Sequence, residues 1–340
     1  DQPRSRGLGD VYKRQVAILR EHGGSNEPIV SILASEISSQ IPLHQIYGGV
    51  VPEIASRQHA LILQPLIRQA LEQADVSLAD IDAFAATAGP GLASSLLIGN
   101  TTAKALALAS GKKYIAVNHL EGHLLSPFVH SHEVPAHVSL IISGGHTMLI
   151  LVRDAGNYEK LGGTLDDAAG EAFDKVAKML NLPYPGGPQI EKLARSGRTD
   201  AYQFPRALLH ESHFDFSFSG LKTSVLYQIA AINDLDAALP NLCASFQQAV
   251  VDVLWQKSLR ALKQTGIRHL AISGGVSMNQ CLREYFTSHA QPHGIQLSLA
   301  APELCTDNAA MIGFAAMLRL RKQLTSSLDS TIDPNLSLFA

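Results

Sequence analysis

Apolar and polar positions along the chain change between a period of two and a helical period, which predicts strands that alternate with helices. The segments fall at residues 30–38 (strand), 52–74 (helix), 81–87 (strand), 92–109 (helix), 114–117 (strand), 138–143 and 148–152 (a β-hairpin), 190–195 (helix) and 280–289 (helix). Interleaved strands and helices of this kind are typical of α/β architecture. We therefore expect an α/β fold.

The amino-terminal residues 1–15 do not share this pattern. They contain no initiator Met, no apolar run and no amphipathic periodicity, so they resemble neither a signal peptide nor a transit peptide. We interpret residues 1–15 as a non-native or aberrant leader. Residues 16–19 then look like the end of a strand whose beginning is missing.

Composition narrows the classes of function. With 340 residues and 46% hydrophobic content, the chain is long enough for two ordinary domains. A net charge of −3 excludes a strongly basic nucleic-acid binder by composition, although a local patch can still hold an anionic substrate. Three widely spaced cysteines predict no disulfide framework and favour a reducing cytosol.

The clearest chemical signal is a pair of histidines. His119 and His123 are four residues apart, so on a helix their imidazoles share one face and can hold one metal ion. In zinc peptidase helices the general base directly follows the first His, whereas here Leu120 has that place and Glu121 is rotated away. Asp307 opens a later helix, where it is either an N-cap or a third metal ligand.

Two apolar strands end in the same Ser-Gly-Gly sequence, at residues 143–145 and 273–275. Either turn alone is explained by a tight bend that needs glycine. Glycines at such points also let backbone N–H groups approach a phosphate, and a helix follows the second turn. Together the two turns suggest a duplicated nucleotide-binding core.

Other segments leave two interpretations open. Asp174 lies beyond the first turn of its predicted helix, where it could accept hydrogen bonds from a ribose or pair with Lys178 on a solvated face. Residues 184–188 form either a turn that gives a sugar access to backbone or a plain loop. Residues 216–223 lack the P-loop spacing and are interpreted as a core strand followed by a turn.

Six motifs occur in a fixed order: residues 118–124 (NHLEGHL), 143–147 (SGGHT), 166–175 (DDAAGEAFDK), 216–223 (FSFSGLKT), 274–279 (GGVSMN) and 305–308 (CTDN). Together, over about residues 16–320, they closely resemble the tRNA N6-adenosine threonylcarbamoyltransferase family, once labelled O-sialoglycoprotein endopeptidases. Residues 47–57 (YGGVVPEIASR) resemble the start of that family's first helix.

The resemblance implies an actin-like ATPase fold, as in sugar kinases, Hsp70 and actin, with two lobes around a nucleotide cleft and the first strand truncated. The implied amino-terminal lobe is residues 16–117, completed by a carboxyl-terminal helix at residues 308–325. The implied carboxyl-terminal lobe is residues 118–307 with inserted helices, and residues 326–340 form a tail.

The resemblance also implies an acyltransferase, an N6-L-threonylcarbamoyladenine synthase. It would move the threonylcarbamoyl group from threonylcarbamoyl-AMP to N6 of the adenosine 3′ to the anticodon, in tRNAs that read codons beginning with A. The matching motifs imply that His119, His123 and Asp307 hold one divalent metal ion. Fe(II) is the first choice for this ion, and Zn(II) is the second. The implied substrate contacts are Ile141, Ile142, Ser143, Gly144, Gly145, Asp174, Gly187, Glu191 and Asn279.

No catalytic residue is assigned. The family opens with a strand and an acidic loop, Gly-x-Glu-Thr-Ser-Cys-Asp-x-Thr, near the donor's phosphates, and nothing in residues 1–15 matches it. We therefore expect this chain to be inactive or severely impaired and the protein with that segment to be active.

Implied partners are tRNA and, in bacteria, a paralogous actin-fold subunit and a small ATPase. No apolar run reaches membrane-spanning length, and the implied location is the cytoplasm, or the mitochondrial matrix in a eukaryote. Two alternatives share the fold: a non-catalytic scaffold subunit, and a small-molecule kinase, which has no use for a two-histidine metal site.

Overall fold

The computed structural model describes residues 13–22, 30–39 and 52–339. Residues 1–12 of the predicted leader, and the part of the 47–57 motif before Pro52, lie outside the described residues. The helices are α1 (Pro52–Ala74), α2 (Ala93–Ser110), α3 (His119–Leu125), α4 (Ala169–Met179), α5 (Gly186–Ala194), α6 (Ser219–Ala230), α7 (Leu235–Thr265), α8 (Gln280–Ala290), α9 (Pro302–Cys305) and α10 (Ala309–Arg321). The strands are β1 (Lys13–Glu21), β2 (Val30–Ser39), β3 (Ala83–Gly89), β4 (Lys113–Asn118), β5 (His137–Ile142), β6 (Thr147–Asp154), β7 (Asn157–Gly163), β8 (His269–Ser273) and β9 (Gln296–Leu299).

The chain divides into two compact units. Unit 1 is residues 1–134, 154–158 and 306–340, and unit 2 is residues 135–153 and 159–305. The boundary after Val134 differs from the one expected at 117/118, because α3 packs on α10: a Cβ at Gly122 would lie 2.9 Å from Ile312 Cδ1. The stretch expected to be a tail belongs to unit 1, where the Ser326 N–H donates to the Tyr114 carbonyl at 2.9 Å.

The described residues of unit 1 contain two separate pairs of strands. β1 and β2 are antiparallel, from Lys13 opposite Ser39 to Glu21 opposite Val30, with an irregularity between Ile18 and Leu19. β3 and β4 are parallel. The expectation that residues 16–19 end a strand was wrong, since they lie in the middle of the nine-residue β1, which pairs with β2 from Lys13 onward.

Unit 2 is built on a five-stranded sheet in the order β7-β6-β5-β8-β9. The predicted β-hairpin is confirmed, because β5 and β6 pair antiparallel and Ile142 lies opposite Thr147. β5 also pairs parallel with β8, and all its residues are buried, as expected of a strand inside a covered sheet. The long helix α7 supplies the fully buried Trp255 and Phe246 to the core of this unit.

No helix within residues 13–22, 30–39 and 52–339 is both long and apolar enough to pass through a bilayer.

A candidate metal centre and two glycine turns

The two histidines are placed by a strand that runs directly into a helix. β4 ends at Asn118, whose side-chain oxygen accepts a hydrogen bond from the Leu120 N–H at 2.9 Å and so caps α3. His119 and His123 follow on this helix and are 8% and 2% exposed. Their rings lie edge to face with centroids 4.9 Å apart, so the two imidazoles share one side of the helix as the spacing predicted.

Asp307 joins the histidines from the loop before α10. The capping role belongs to its neighbour, because Asn308 accepts a hydrogen bond from the Met311 N–H at 2.8 Å. The Asp307 Oδ1 atom lies 3.3 Å from His119 Nε2 and 3.0 Å from His123 Nε2. The Gln15 amide donates to the Asp307 carbonyl at 2.6 Å and helps to hold the loop.

The pKa shifts of Asp307 and His123 favour the protonation states that these residues need as metal ligands. Burial opposes ionisation of Asp307, but the nearby His119 charge and hydrogen bonds from both imidazoles outweigh it and hold the pKa of Asp307 well below its usual range. Burial lowers the pKa of His123, despite its hydrogen bond with Asp307. A carboxylate beside a neutral imidazole is the protonation state that metal binding requires.

The spacing of the donor atoms also fits a metal ion. Two ligands each about 2.1 Å from one ion, at an angle of roughly 90–105°, lie about 3.0–3.3 Å apart. The measured separations of 3.0 and 3.3 Å agree with this, and the ligand atoms of all three residues lie within 4.8 Å of one another. Two imidazole nitrogens and one carboxylate suit Fe(II) or Zn(II).

Glu121 lies between the histidines in sequence but makes different contacts. It is 0% exposed, and its two oxygens accept hydrogen bonds from Tyr158 Oη at 2.8 Å and Arg319 Nε at 2.7 Å. Burial raises the pKa of Glu121, while Arg319 and Tyr158 oppose that rise. A carboxylate buried in this ion pair is unsuited to act as the general base of a peptidase, which agrees with its displaced position in the sequence.

The two Ser-Gly-Gly turns lie at the ends of neighbouring strands in unit 2. β5 and β8 are parallel, and Ile141 is opposite Ser273. At the second turn Gly274 has φ +92°, and a Cβ there would lie 2.4 Å from the Ile142 carbonyl oxygen, so only glycine fits. At the first turn Gly144 is exposed, and a Cβ there would meet nothing within 4 Å.

The first turn is closed by its own residues and by α4. The Ser143 N–H donates to the His146 carbonyl at 2.8 Å, and the His146 N–H donates to Ser143 Oγ at 3.0 Å. A Cβ at Gly170 would lie 2.7 Å from the Ser143 carbonyl oxygen, so the start of α4 touches the turn. Ile141 and Ile142 are fully buried, which leaves residues 143–145 as the accessible part of this segment.

Asp174 joins α4 to the start of α5. Its Oδ1 atom accepts a hydrogen bond from the Gly186 N–H at 2.8 Å. Burial raises the pKa of Asp174, and hydrogen bonds from the backbone of Gly186 and Gly187 oppose the rise. With this contact, α5 begins at Gly186, earlier than the predicted residue 190. The next residue, Gly187, has no atom within 4 Å of the position where a Cβ would lie.

Glu191 and Asn279 meet at the start of α8. Asn279 caps this helix by accepting from the Leu282 N–H at 2.9 Å and donates to Gln247 Oε1 at 2.7 Å. Glu191 accepts a hydrogen bond from the next residue's N–H, Gln280, at 3.2 Å. The structure therefore brings Glu191 next to Asn279, and Asp174 next to Gly187, all within unit 2.

A carboxylate network was missed by the sequence interpretation. Asp166 accepts hydrogen bonds from Ser217 Oγ at 2.5 Å, the Phe218 N–H at 2.8 Å and Ser219 Oγ at 2.8 Å, which caps α6 from another segment. Residues 216–223 therefore form an isolated bridge at Phe216 followed by α6, rather than a core strand. The hydroxyls at 217 and 219 were the available signal in the sequence.

Solved structures establish the class of fold. HypF from T. kodakarensis is 14% identical with a TM-score of 0.59, over 76% of this chain and 43% of that chain. A full-length HypF in the phosphate- and nucleotide-bound form is 16% identical with a TM-score of 0.61, over 87% of this chain and 44% of that chain. This chain thus spans less than half of either protein, and the likeness concerns the fold alone. This chain has the actin-like ATPase fold. It also carries a candidate metal-binding group of two histidines and one aspartate.

Sequence comparison identifies the family. Residues 31–314 match the family described as tRNA N6-adenosine threonylcarbamoyltransferase. Proteins of that name from Clostridium kluyveri and Polaromonas sp. are 47% and 50% identical, over 90% of this chain and 91% and 88% of theirs. The chain belongs to the tRNA N6-adenosine threonylcarbamoyltransferase family.

Proposed function

We propose that this protein transfers the threonylcarbamoyl group from threonylcarbamoyl-AMP to N6 of the adenosine 3′ to the anticodon, in tRNAs that read codons beginning with A. The match over residues 31–314 supports the reaction class. The observation that carries the proposal is the convergence of His119, His123 and Asp307 on one point. A small-molecule kinase would not need such a group.

The chemistry fits this group of ligands. The donor is a mixed anhydride of a carbamate and a phosphate, so its leaving group is already good, and negative charge develops on oxygen as the amine attacks. A divalent ion held by His119, His123 and Asp307 would supply Lewis-acid stabilisation of that charge. We propose Fe(II) as this ion and Zn(II) as the second choice, since both suit two nitrogens and a carboxylate.

Unit 2 would bind the adenylate part of the donor. Ser143, Gly144 and Gly145 offer accessible backbone at the end of β5, with no Cβ at Gly144 to keep a phosphate away. Asp174 holds Gly187 in place through the backbone of α5, and this favours a contact between Gly187 and the ribose. Ile141 and Ile142 are buried, so they would support the turn rather than touch the donor through their side chains.

Glu191 and Asn279 would supply further polar contacts to the nucleotide. Asn279 caps α8, and Glu191 of α5 reaches the same helix start, where it already accepts a hydrogen bond from the Gln280 N–H. We further propose that tRNA is the acceptor, that a paralogous actin-fold subunit and a small ATPase assist in bacteria, and that the reaction takes place in the cytoplasm. The relatives named above are bacterial proteins.

Metal content and donor binding test this proposal together. We expect about one Fe or Zn per chain by mass spectrometry, lost in His119→Ala and retained in the control His210→Ala, whose histidine is exposed. We also expect threonylcarbamoyl-AMP to raise the melting temperature of the metal-loaded protein, because a ligand that binds only the folded state stabilises it. Metal retained in His119→Ala, or no shift with the donor, would contradict the proposal.

A further inference from the structure

We propose that residues 326–336, the strap, are a positioning element of the metal centre and act through Asn118 at the start of α3. This role rests on the proposed function, because α3 matters here as the carrier of two metal ligands. The strap, α3 and Asp307 all belong to unit 1. The ends of β3 and β4 lie between them, and the strap contacts both strands.

The first half of the strap is fastened to β4 and α2. The Ser326 N–H donates to the Tyr114 carbonyl at 2.9 Å, and Ser326 Oγ accepts from the Ala116 N–H at 2.9 Å. Tyr114 and Ala116 are alternate residues of β4, so Ser326 pairs with one edge of this strand. Further along, Lys104 of α2 donates to the Ser330 carbonyl. The strap therefore begins at a fixed place on unit 1.

The second half of the strap crosses the end of β3. The Asp333 N–H donates to the Ala88 carbonyl at 2.9 Å, and the Gly91 N–H donates to the Pro334 carbonyl at 3.1 Å. Between these two bonds, a Cβ at Gly89 would collide with the Asp333 carbonyl oxygen. Only a residue without a side chain permits so close an approach. The strap is thus bonded directly to the backbone where β3 ends.

Asn118 connects the strap to α3. It lies opposite Gly89 at the end of β4 and is 4% exposed. Its Oδ1 atom accepts from the Leu120 N–H at 2.9 Å, and its Nδ2 atom donates to the Leu336 carbonyl at 3.3 Å. An amide side chain has both an acceptor and donors, so this one residue caps α3 and bonds the strap at once. Because His119 directly follows, the strap helps to set the position of the first metal ligand.

Attachment of the strap and binding of the metal should therefore support each other. A metal ion holds His119 and His123 in one arrangement, and that arrangement of the helix start places Asn118 for its bond with the strap. Such coupling is reciprocal: the strap raises metal affinity by the same factor by which the metal strengthens attachment of the strap. The net contribution of one neutral hydrogen bond corresponds to about a fivefold change in an equilibrium constant.

Amide hydrogen exchange of the full chain tests the coupling. The N–H groups of Gly91 and Asp333 are the reporter amides, because each is bonded across the contact with the strap. We expect both to exchange about fivefold more slowly in protein saturated with Zn(II) than in metal-free protein. The control is the Lys112 N–H, which bonds to the Ala107 carbonyl at 2.9 Å at the end of α2 and should exchange equally in both.

Asn118→Ser removes the bond with the strap and keeps the cap. Serine is among the best N-cap residues, but its side chain is too short to reach the Leu336 carbonyl as well. We expect Asn118→Ser to bind Zn(II) about fivefold more weakly in competition with a chelator, and to lose the slowing at both reporter amides. The matched control Asn241→Ser removes an amide that accepts from the Arg198 N–H at 2.8 Å in unit 2, and it should leave Zn(II) affinity unchanged.

Two results would overturn the role of the strap: equal exchange of both reporter amides with and without Zn(II), or unchanged Zn(II) affinity in folded Asn118→Ser. A lower melting temperature of this variant with unchanged affinity would mean that the strap stabilises the fold alone. If the unaltered chain bound neither Zn(II) nor Fe(II), the proposed function would fail as well. Metal binding without coupling would contradict the role of the strap and leave the proposed function standing.

Discussion

The buried ion pair of Glu121 makes a sharp prediction about the metal centre. Glu121 lies between the two histidines on α3 and contacts Arg319 Nε at 2.7 Å, near the end of α10. At the other end of α10, Gly122 packs so closely that a Cβ would lie 2.9 Å from Ile312 Cδ1. Since Asp307 directly precedes α10, these two contacts fix its position relative to the histidines.

Replacing Glu121 by Gln removes the charge but keeps the shape. Breaking a buried pair by removing one partner costs about 3–5 kcal/mol, because the remaining charge is left without its partner. Arg319 is partly exposed, with 27% of its side chain accessible, so water can compensate and we expect about 3 kcal/mol. At about 2.1 cal/mol/K per residue, the unfolding entropy of 340 residues is about 0.7 kcal/mol/K, so this loss lowers the melting temperature by roughly 4 °C.

The prediction is tested by metal affinity beside stability. We expect Glu121→Gln to weaken metal binding about tenfold in competition with a chelator, under conditions where circular dichroism shows the protein folded. The matched control is Glu159→Gln, whose exposed ion pair with Arg153 should contribute little to either quantity. If Glu121→Gln lowered the melting temperature but left the metal affinity unchanged, a role for the pair in positioning the ligands would be refuted.

Three further predictions concern single residues. Gly144→Ala should keep its melting temperature within about 1 °C, because its Cβ meets nothing within 4 Å, yet lose most of the shift caused by threonylcarbamoyl-AMP; an unchanged shift would exclude this turn from the donor site. Gly274→Ala should yield little folded protein, since its Cβ would lie 2.4 Å from a carbonyl oxygen at a φ of +92°, and normal yield and melting would contradict the backbone account. Burial lowers the pKa of His123, so its imidazole should stay neutral at pH 6.5; the ring C–H resonances of His123 in the metal-free chain should change little in NMR spectra between pH 7.5 and pH 6.5, and a titration step within that range would contradict it.

Local patterns in the sequence were enough to predict the histidine pair. Four-residue spacing on a helix follows from helical geometry, and Asn118 supplies the cap that starts α3. The part played by Asp307 could not be obtained in this way, because an acidic residue before a helix is usually its cap. In the folded chain Asn308 caps α10, so the Asp307 carboxylate is available to the histidines. His123, which it contacts, is 184 residues away in the sequence.

Long-range contacts account for the remaining differences. Asp166 caps α6 from more than fifty residues away, so the hydroxyls at Ser217 and Ser219 had no visible partner in the local sequence. The Asp174 contact with the Gly186 N–H likewise sets the start of α5. Residue spacing predicts elements well where a helix or strand is self-contained, and less well where a side chain from elsewhere fixes its end.

Transfer to tRNA is the most direct test of the proposed function. The metal-loaded chain is incubated with the paralogous actin-fold subunit, the small ATPase, ATP, threonylcarbamoyl-AMP and a tRNA that reads a codon beginning with A, and the nucleosides are analysed by mass spectrometry. The assay is run with the chain as it stands and with the family's Gly-x-Glu-Thr-Ser-Cys-Asp-x-Thr segment in place of residues 1–12. We predict threonylcarbamoyladenosine from the second protein, little from the first, and none from the second protein with His119→Ala. Absence of the modified nucleoside with both proteins, or its persistence in His119→Ala, would contradict the account.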